Sequence, residues 1–81
     1  MLDKKINPDT ITGQINSKAI EIIGNNPKGV GWTELSNQIK EFNPKFHPKT
    51  VNGCVWKLTE NFPNTVYKPK KGLFMHNKFK S

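Results

Sequence analysis

Lysine is the side chain whose number and placement in this sequence point to chemistry, namely the binding of an anionic partner. Residues 1–43 carry five lysines and five acids, which cancel, whereas residues 44–81 carry eight lysines against Glu60 alone. The net charge of +7 therefore lies in the second half of the chain. A balanced half followed by a basic half is typical of a scaffold that presents one face to a polyanion. The alternative is a basic surface without a partner, as lysine-rich proteomes produce by drift.

Catalytic and metal-binding patterns are weak by comparison. Cys54, His47 and His76 do not have the paired spacing of zinc ligands, and the acids are scattered along the chain. Gly29 and Gly31 lack the Gly-Lys-Ser/Thr ending of a phosphate-binding loop. We expect Cys54 to be a packed thiol at the border of a helix's core face. The sequence therefore predicts a protein that is not an enzyme and that uses no cofactor and no metal.

Length and composition predict one small domain. The chain has 81 residues, of which 33% are hydrophobic, so a second domain or a large buried cavity is not expected. The single cysteine leaves no pair for an intramolecular disulfide, and no apolar stretch approaches the length of a membrane span or a signal peptide. We predict a soluble cytoplasmic protein, nucleoid-associated if bacterial, with no membrane partner. Its domain spans residues 9–76, between a flexible tail at 1–8 and a tail or linker at 77–81.

Apolar residues at helical spacing predict the first two helices. The first covers residues 11–23 and ends at residues 24–27, where a glycine suits the position after the last turn and a proline follows. The second begins at Thr33, as its N-cap, and runs to about Glu41. The apolar stripes of these helices are Ile11, Ile15, Ala19 and Ile22 in the first, and Leu35, Ile39 and Phe42 in the second.

A third helix is predicted to begin at Pro48, because proline suits the first helical position. Its apolar stripe has the spacing i, i+4, i+7 and i+11 and consists of Val51, Val55, Leu58 and Phe62. A short strand at residues 30–32 and two strands at 65–68 and 73–75, joined by a turn at 69–72, complete the pattern. This order predicts an α+β winged helix, with three helices, a small antiparallel sheet and a C-terminal β-hairpin wing.

The outward side of the third helix carries the side chains that suit contact with DNA. Lysines neutralise phosphates, Asn52 and Thr50 can hydrogen-bond to base edges or backbone, and Gly53 leaves room for close approach. Trp56 suits contact with a sugar, a thymine methyl or an unstacked base, or packing against a neighbouring strand. The alternative is an ordinary solvated helix face. The predicted DNA contacts of this helix and its connector are Lys45, His47, Lys49, Thr50, Asn52, Gly53, Trp56 and Lys57.

The predicted wing adds a second basic element. Lys68, Lys70 and Lys71 surround its tight turn, where they can contact the phosphate backbone or the minor groove. The alternative is that these lysines protect a hairpin edge from aggregation. The sequence contains no arginine, which is the usual bidentate reader of guanine. We therefore expect phosphate contacts to dominate binding and sequence selectivity to be modest.

Four short motifs carry a resemblance to a known family. They are Asn26-Pro27-Lys28-Gly29, Thr33-Glu34-Leu35, Pro48-Lys49-Thr50-Val51 and Lys71-Gly72-Leu73-Phe74. With them, residues 19–75 resemble winged helix-turn-helix domains, in particular the HARE helix-turn-helix group, which accompanies restriction enzymes, DNA methylases and chromatin or transcription proteins. The connector Phe46-His47-Pro48 departs from the glycine-rich approach common in that group. The resemblance implies DNA binding, as a transcription regulator or an accessory module of a DNA-processing protein.

Together these features predict that the chain binds double-stranded DNA, with the third helix in the major groove and the wing on the adjacent backbone. One alternative is a winged-helix protein-interaction module, which would expose an apolar patch at Trp56, Phe79 or Ile20. A protein partner or a covalently linked domain fits that alternative. Another is binding to RNA or single strands, with Trp56 or Tyr67 stacking on a base. The sequence leaves the oligomeric state open.

Overall fold

Four α-helices and three strands form the described part of this chain in a computed structural model, which covers Asp3 and residues 5–79. In that part of the chain the helices are α1 (Ile11–Gly24), α2 (Trp32–Phe42), α3 (Pro48–Trp56) and the short α4 (Leu58–Asn61). The strands are β1 (Val30–Gly31), β2 (Val66–Lys70) and β3 (Leu73–His76), and a 3-10 helix at Asn77–Phe79 follows them. The chain is thus a small α+β domain, as its sequence predicts.

The strands of the described residues form one antiparallel sheet in the order β1-β3-β2. Val30 of β1 pairs with Phe74 of β3, and Val66 of β2 pairs with His76 of β3. β1 is far from β3 in sequence, so the sheet ties the segment before α2 to the C-terminal part of the chain. The predicted small antiparallel sheet and the predicted C-terminal hairpin are both present.

The hairpin formed by β2 and β3 has a shorter turn than the sequence predicts. β2 continues through Pro69 to Lys70, and the turn contains Lys71 and Gly72 rather than four residues. The register is irregular between Tyr67 and Lys70, and proline is tolerated at such a bulge because it has no N–H for the ladder. Gly72 closes the turn with a φ of 79°, a left-handed conformation that glycine adopts without steric cost.

One apolar core joins the helices to the sheet. The apolar stripe predicted for the third helix is fully buried, which confirms that side as the core-facing side. The buried apolar side chains are Ile15, Ala19, Ile22, Ile23, Val30, Leu35, Ile39, Phe46, Val51, Val55, Leu58, Phe62, Val66 and Phe74. With this side of α3 fixed against α1 and α2, its other sides face solvent or the edges of neighbouring elements.

The predicted third helix is in fact two helices, α3 and α4, interrupted at Lys57. The backbone of Lys57 has φ −95° and ψ 5°, and its N–H donates to the carbonyl oxygen of Gly53 at 3.3 Å. The N–H of Asn61 then donates to the carbonyl oxygen of Lys57 at 2.8 Å, so helical bonding resumes at once. The described residues therefore form four α-helices instead of three. Leu58 and Phe62 stay buried because the interruption keeps them on the core side.

The predicted start of the second helix is also wrong. α2 begins at Trp32, and its N-cap is Gly31 rather than Thr33, without a side-chain cap hydrogen bond. The hairpin instead accepts one of the N–H groups that have no partner within the helix, because the N–H of Trp32 donates to the carbonyl oxygen of Gly72 at 2.8 Å. The strand predicted for residues 30–32 is shortened to β1 for the same reason.

Two residues at the ends of the predicted apolar stripes are exposed instead of buried. Ile11 is 57% exposed, because the N-terminal segment crosses the first turn of α1 at Gly13 and leaves Ile11 uncovered. Phe42 is 55% exposed. Its ring lies 6.4 Å from that of Phe46 between centroids, and Nζ of Lys18 lies 4.5 Å from its centroid. The buried stripe of α1 therefore begins one turn later than its spacing predicts, at Ile15, and that of α2 ends one turn earlier, at Ile39.

Both predicted tails have described residues that contact the domain. A carboxylate oxygen of Asp3 accepts the N–H of Asn64 at 2.7 Å, and the other accepts the hydroxyl of Thr65. Asn77 donates its N–H to the carbonyl oxygen of Thr65 at 2.8 Å. Residues 1, 2, 4, 80 and 81 lie outside the described residues, so the flexibility of the tails and the domain boundaries stay predictions.

Candidate functional site

The first turn of α3 is held by a histidine cap. Nδ1 of His47 accepts the N–H of Lys49 at 3.2 Å, and its carbonyl oxygen accepts the N–H of Val51 at 3.1 Å. Pro48 occupies the first helical position, where a missing N–H costs no helical bond. Val51 is fully buried, whereas Lys49 is exposed. His47, which the sequence predicts as a DNA contact, therefore also positions the helix.

Most of the predicted contacts on α3 and its connector reach the surface. The half-buried members are Thr50 and Asn52. Oδ1 of Asn52 is buried and has no hydrogen-bond partner among the described residues, so this acceptor is not presented to a base edge in this conformation. The exposed members are Lys45, His47, Lys49, Gly53, Trp56 and Lys57.

The hairpin meets α3 through one of its lysines. Lys68, Lys70 and Lys71 are all exposed. Nζ of Lys68 lies 5.9 Å from the ring centroid of Trp56 and 5.8 Å from that of Phe74, at the outer limit of a cation–π contact. Lys68 therefore turns back towards the C-terminal end of α3, so this lysine of the hairpin and Trp56 of α3 belong to one surface.

The lysines of this surface have no acidic partner in the part of the chain that the structure describes. There, the ion pair within 4.0 Å joins Lys18 to Glu21, both on α1. Glu60, the one acid in residues 44–81, is exposed on α4. Because the charges are exposed and unpaired, the surface formed by α3 and the hairpin has a strongly positive potential.

Trp56 is the large apolar side chain of this surface. It is 62% exposed, and its ring centroid lies 6.0 Å from that of Trp32 at an interplanar angle of 50°. Trp32 is half-buried at the start of α2. The tilted pair leaves much of the Trp56 ring in contact with solvent, where it can contact a sugar, a base or an apolar group of a protein.

Gly53 lies in the middle of the exposed face of α3, where it leaves the helix without a side chain. A Cβ built at this position meets nothing within 4 Å, so no neighbouring element requires a glycine there. A glycine inside a helix costs about 1 kcal/mol relative to alanine. The structure therefore gives this glycine no role in packing.

A groove runs along the other flank of α3, between this helix and the start of α1. Its volume is about 510 Å³, and it is lined on the α3–α4 side by Thr50, Gly53, Cys54, Lys57 and Asn61. We call it the α1–α3 groove. Its α1 side consists of Lys5, Asn7, Thr10, Thr12, Gly13 and Asn16, with Phe62 completing the lining. Three of the predicted DNA contacts, Thr50, Gly53 and Lys57, thus lie between the basic surface and the groove.

The sequence did not identify three residues that shape these surfaces. The sequence predicts a strand at Trp32, because the hairpin carbonyl that lets α2 begin there is distant in sequence. It predicts a tail at Lys5 and no role for Asn16 in the first helix. Nothing local distinguishes Lys5 or Asn16 as a residue of the groove.

Groups that could support catalysis or metal binding are dispersed. Burial raises the pKa of the Cys54 thiol, which disfavours the nucleophilic thiolate. Burial, and secondarily the charge of Lys78, lowers the pKa of His76 at the end of β3. Among the described residues, no three His, Cys, Asp or Glu side chains are grouped as metal ligands.

Comparison with known proteins yields no relative. No protein-family model, no curated protein and no solved structure matches this chain. Within the described residues, none of the helices combines the length and the apolar character that crossing a membrane requires. The argument for function therefore comes from the geometry and charge of the chain itself.

Proposed function

We propose that this chain is a winged-helix domain that binds double-stranded DNA without catalysing a reaction. The observation that carries the proposal is that both α3 and the hairpin expose lysines without an acidic partner among the described residues. Lys68 joins the two elements through its position near the ring of Trp56, at 5.9 Å. A polyanion that follows this surface contacts lysines from both elements, whereas an isolated basic loop would offer one or two charges.

The order of the elements supports the winged-helix assignment. α2 and α3 are consecutive helices joined by a short connector, as in a helix-turn-helix, and the C-terminal hairpin follows them. β1 lies beside β3 in the sheet, so the hairpin extends from a strand that is anchored next to α2. In this arrangement α3 is the recognition helix, and the hairpin is the wing.

In the proposed complex α3 enters the major groove and the wing contacts the adjacent backbone. Lys49 and Lys57 neutralise phosphates at the two ends of α3, and Lys70 at the end of β2 and Lys71 in the turn of the wing do the same. Because the chain has no arginine, base readout is weak and affinity depends on salt. With about five to seven lysines engaged, log K falls with log salt at a slope of about −4 to −6.

The test is an NMR titration of the labelled chain with a short duplex of mixed sequence, at low and moderate salt. We expect shifts at residues 45–57 and 68–72 that fade as salt rises. The Lys28→Gln variant is the control, because it removes an exposed lysine outside this surface. Absence of shifts at low salt, or shifts equally spread over all lysines, would contradict the proposal.

A protein-interaction module is the second candidate, and the 62% exposure of Trp56 favours it. Phe79 and Ile20, the other members of the apolar patch that this alternative predicts, are half-buried, so the exposed apolar surface centres on Trp56. The Trp56→Ala variant separates the candidates. A DNA-binding surface driven by lysines loses little affinity from this change, whereas an apolar protein interface loses its central side chain.

A further inference from the structure

The α1–α3 groove is built by the N-terminal segment as well as by helices. The carbonyl oxygen of Asn7 accepts both the N–H and the hydroxyl of Thr10, at 3.1 and 2.9 Å. The hydroxyl of Thr10 in turn accepts the N–H of Gly13 at 3.0 Å, and the amide of Gln14 donates to the carbonyl oxygen of Pro8 at 3.2 Å. These bonds hold the segment against α1, so the wall of the groove that contains Asn7 has a defined position.

The charged side chains of the described residues that line the groove are both lysines. Lys5 and Lys57 contribute positive charge from opposite walls, and among the described residues no acid lines it. The groove therefore offers two cations that have no acidic partner among the described residues. Its volume of about 510 Å³ suits a small ligand.

We infer that this groove binds a nucleotide, with the phosphate between Lys5 and Lys57. A phosphate matches the two lysines and the lack of acids, because charge-assisted hydrogen bonds to phosphate are strong. The side chain of Asn61, which lines the same groove, can hydrogen-bond to a base or a sugar. The nucleotide is either a free molecule or part of a nucleic-acid strand, since both present this chemistry. The inference does not require that the basic surface of α3 and the hairpin binds duplex DNA.

The first experiment titrates the labelled chain with adenosine 5′-monophosphate and, separately, with adenosine. We expect the monophosphate to shift the amides of Thr12, Gly13 and Asn16, which lie outside the proposed DNA-contact set. Adenosine without phosphate should bind at least about 10-fold more weakly. Lys5→Gln and Lys57→Gln should each weaken the monophosphate by about 10-fold, whereas Lys28→Gln leaves it unchanged. Circular dichroism of each variant verifies that it is folded.

A second arm titrates a short duplex and identifies the source of the nucleotide. Monophosphate binding that depends on Lys5 supports a site for free nucleotides, even where the duplex produces no shifts and the proposed DNA binding fails. If only the duplex shifts the amides on the α1 side of the groove, and Lys5→Gln weakens it, a nucleic-acid strand occupies the groove. If neither the monophosphate nor the duplex shifts the amides on the α1 side of the groove, the inference is overturned. Duplex shifts confined to α3 and the hairpin would overturn it too, but would leave the proposed DNA binding intact.

Discussion

Two glycines inside helices, Gly13 in α1 and Gly53 in α3, have opposite surroundings. At Gly13 a Cβ would overlap the carbonyl oxygen of Asn7, where the N-terminal segment crosses the helix. At Gly53 a Cβ would meet nothing within 4 Å. Each glycine costs its helix about 1 kcal/mol relative to alanine. The fold explains the first cost through a close backbone contact, whereas nothing inside the domain explains the second.

The charges of the two halves of the chain differ in a similar way: those of the first half balance one another, and those of the second half do not. Residues 1–43 balance their charges and contain the ion pair between Lys18 and Glu21. The described part of residues 44–81 exposes unpaired lysines around Gly53 and at the hairpin. A feature that costs stability or concentrates charge without an internal partner is best explained by an external one. We therefore assign the contact between Gly13 and Asn7 to folding, and the proposed function gives the exposed face of α3 and the hairpin a role in binding.

Charge reversal at the hairpin is expected to have the largest effect and tests the binding side of this comparison. The double variant Lys70→Glu and Lys71→Glu should weaken duplex binding roughly 100-fold at low salt, for all sequences alike, because two phosphate contacts are replaced by repulsion. Its stability should be unchanged, since both side chains are exposed. Fluorescence anisotropy with two unrelated duplexes measures the affinity.

The control for that variant removes the same charge from the balanced half. Lys28→Glu with Lys40→Glu should reduce affinity much less, through long-range repulsion alone. Equal losses in the two double variants would mean that the protein responds only to net charge, and the division between a folding half and a binding half would fail.

Gly13→Ala tests the folding side. Alanine gains about 1 kcal/mol of helix propensity, but its Cβ must displace the N-terminal segment, an overpacking that costs about 1–3 kcal/mol. We expect a net loss of stability of up to about 2 kcal/mol in urea denaturation, with little change in duplex affinity. A more stable Gly13→Ala variant would show that the segment is not held where the contact with Asn7 places it.

Gly53→Ala is the matched substitution in α3 and should have the opposite outcome. Because a Cβ meets no neighbour, the change should stabilise the domain by about 1 kcal/mol in the same urea experiment. If glycine is present to allow close approach of a ligand, affinity for duplex or nucleotide should fall by about 3- to 10-fold despite the gain in stability. Stabilisation with full affinity would remove Gly53 from the binding surface.

Periodicity explains what could be predicted of this fold. The spacing of Val51, Val55, Leu58 and Phe62 identified the buried side of α3 and α4, because burial repeats with the turn of a helix. Once that side was known, the exposed lysines followed by elimination. Turn and strand residues identified the hairpin in the same local way.

Contacts between distant residues explain what was missed. The carbonyl oxygen of Gly72 allows α2 to begin at Trp32, and that of Asn7 requires the glycine at position 13. Neither the hydrogen bond at Trp32 nor the close approach at Gly13 produces a periodic pattern in the sequence. The α1–α3 groove depends on the second of these contacts, so the part of the site that contains Lys5 could not be derived before the fold was known.

The two histidines also differ in what they contact. His47 caps α3 on the binding side, whereas His76 lies against α1 on the folding side, with its ring 3.4 Å from the Cβ position of Gly24. Burial, then the charge of Lys78, lowers the pKa of His76, so the folded state disfavours its protonated form. The unfolded chain therefore binds more protons, and stability is full above the ordinary histidine pKa of about 6.5 and declines as pH falls through it.

His76→Gln should remove this decline and have the smallest effect of the four predictions. We expect the midpoint of urea denaturation of the unaltered chain to fall slightly between pH 7.5 and pH 6, above the range in which carboxylates titrate. The His76→Gln variant should lose that slope. His47→Asn is the control, because asparagine also caps helices and the variant retains His76. A slope that persists in His76→Gln and disappears in His47→Asn would place the pH-sensitive contact in the binding region and contradict the division between the two regions.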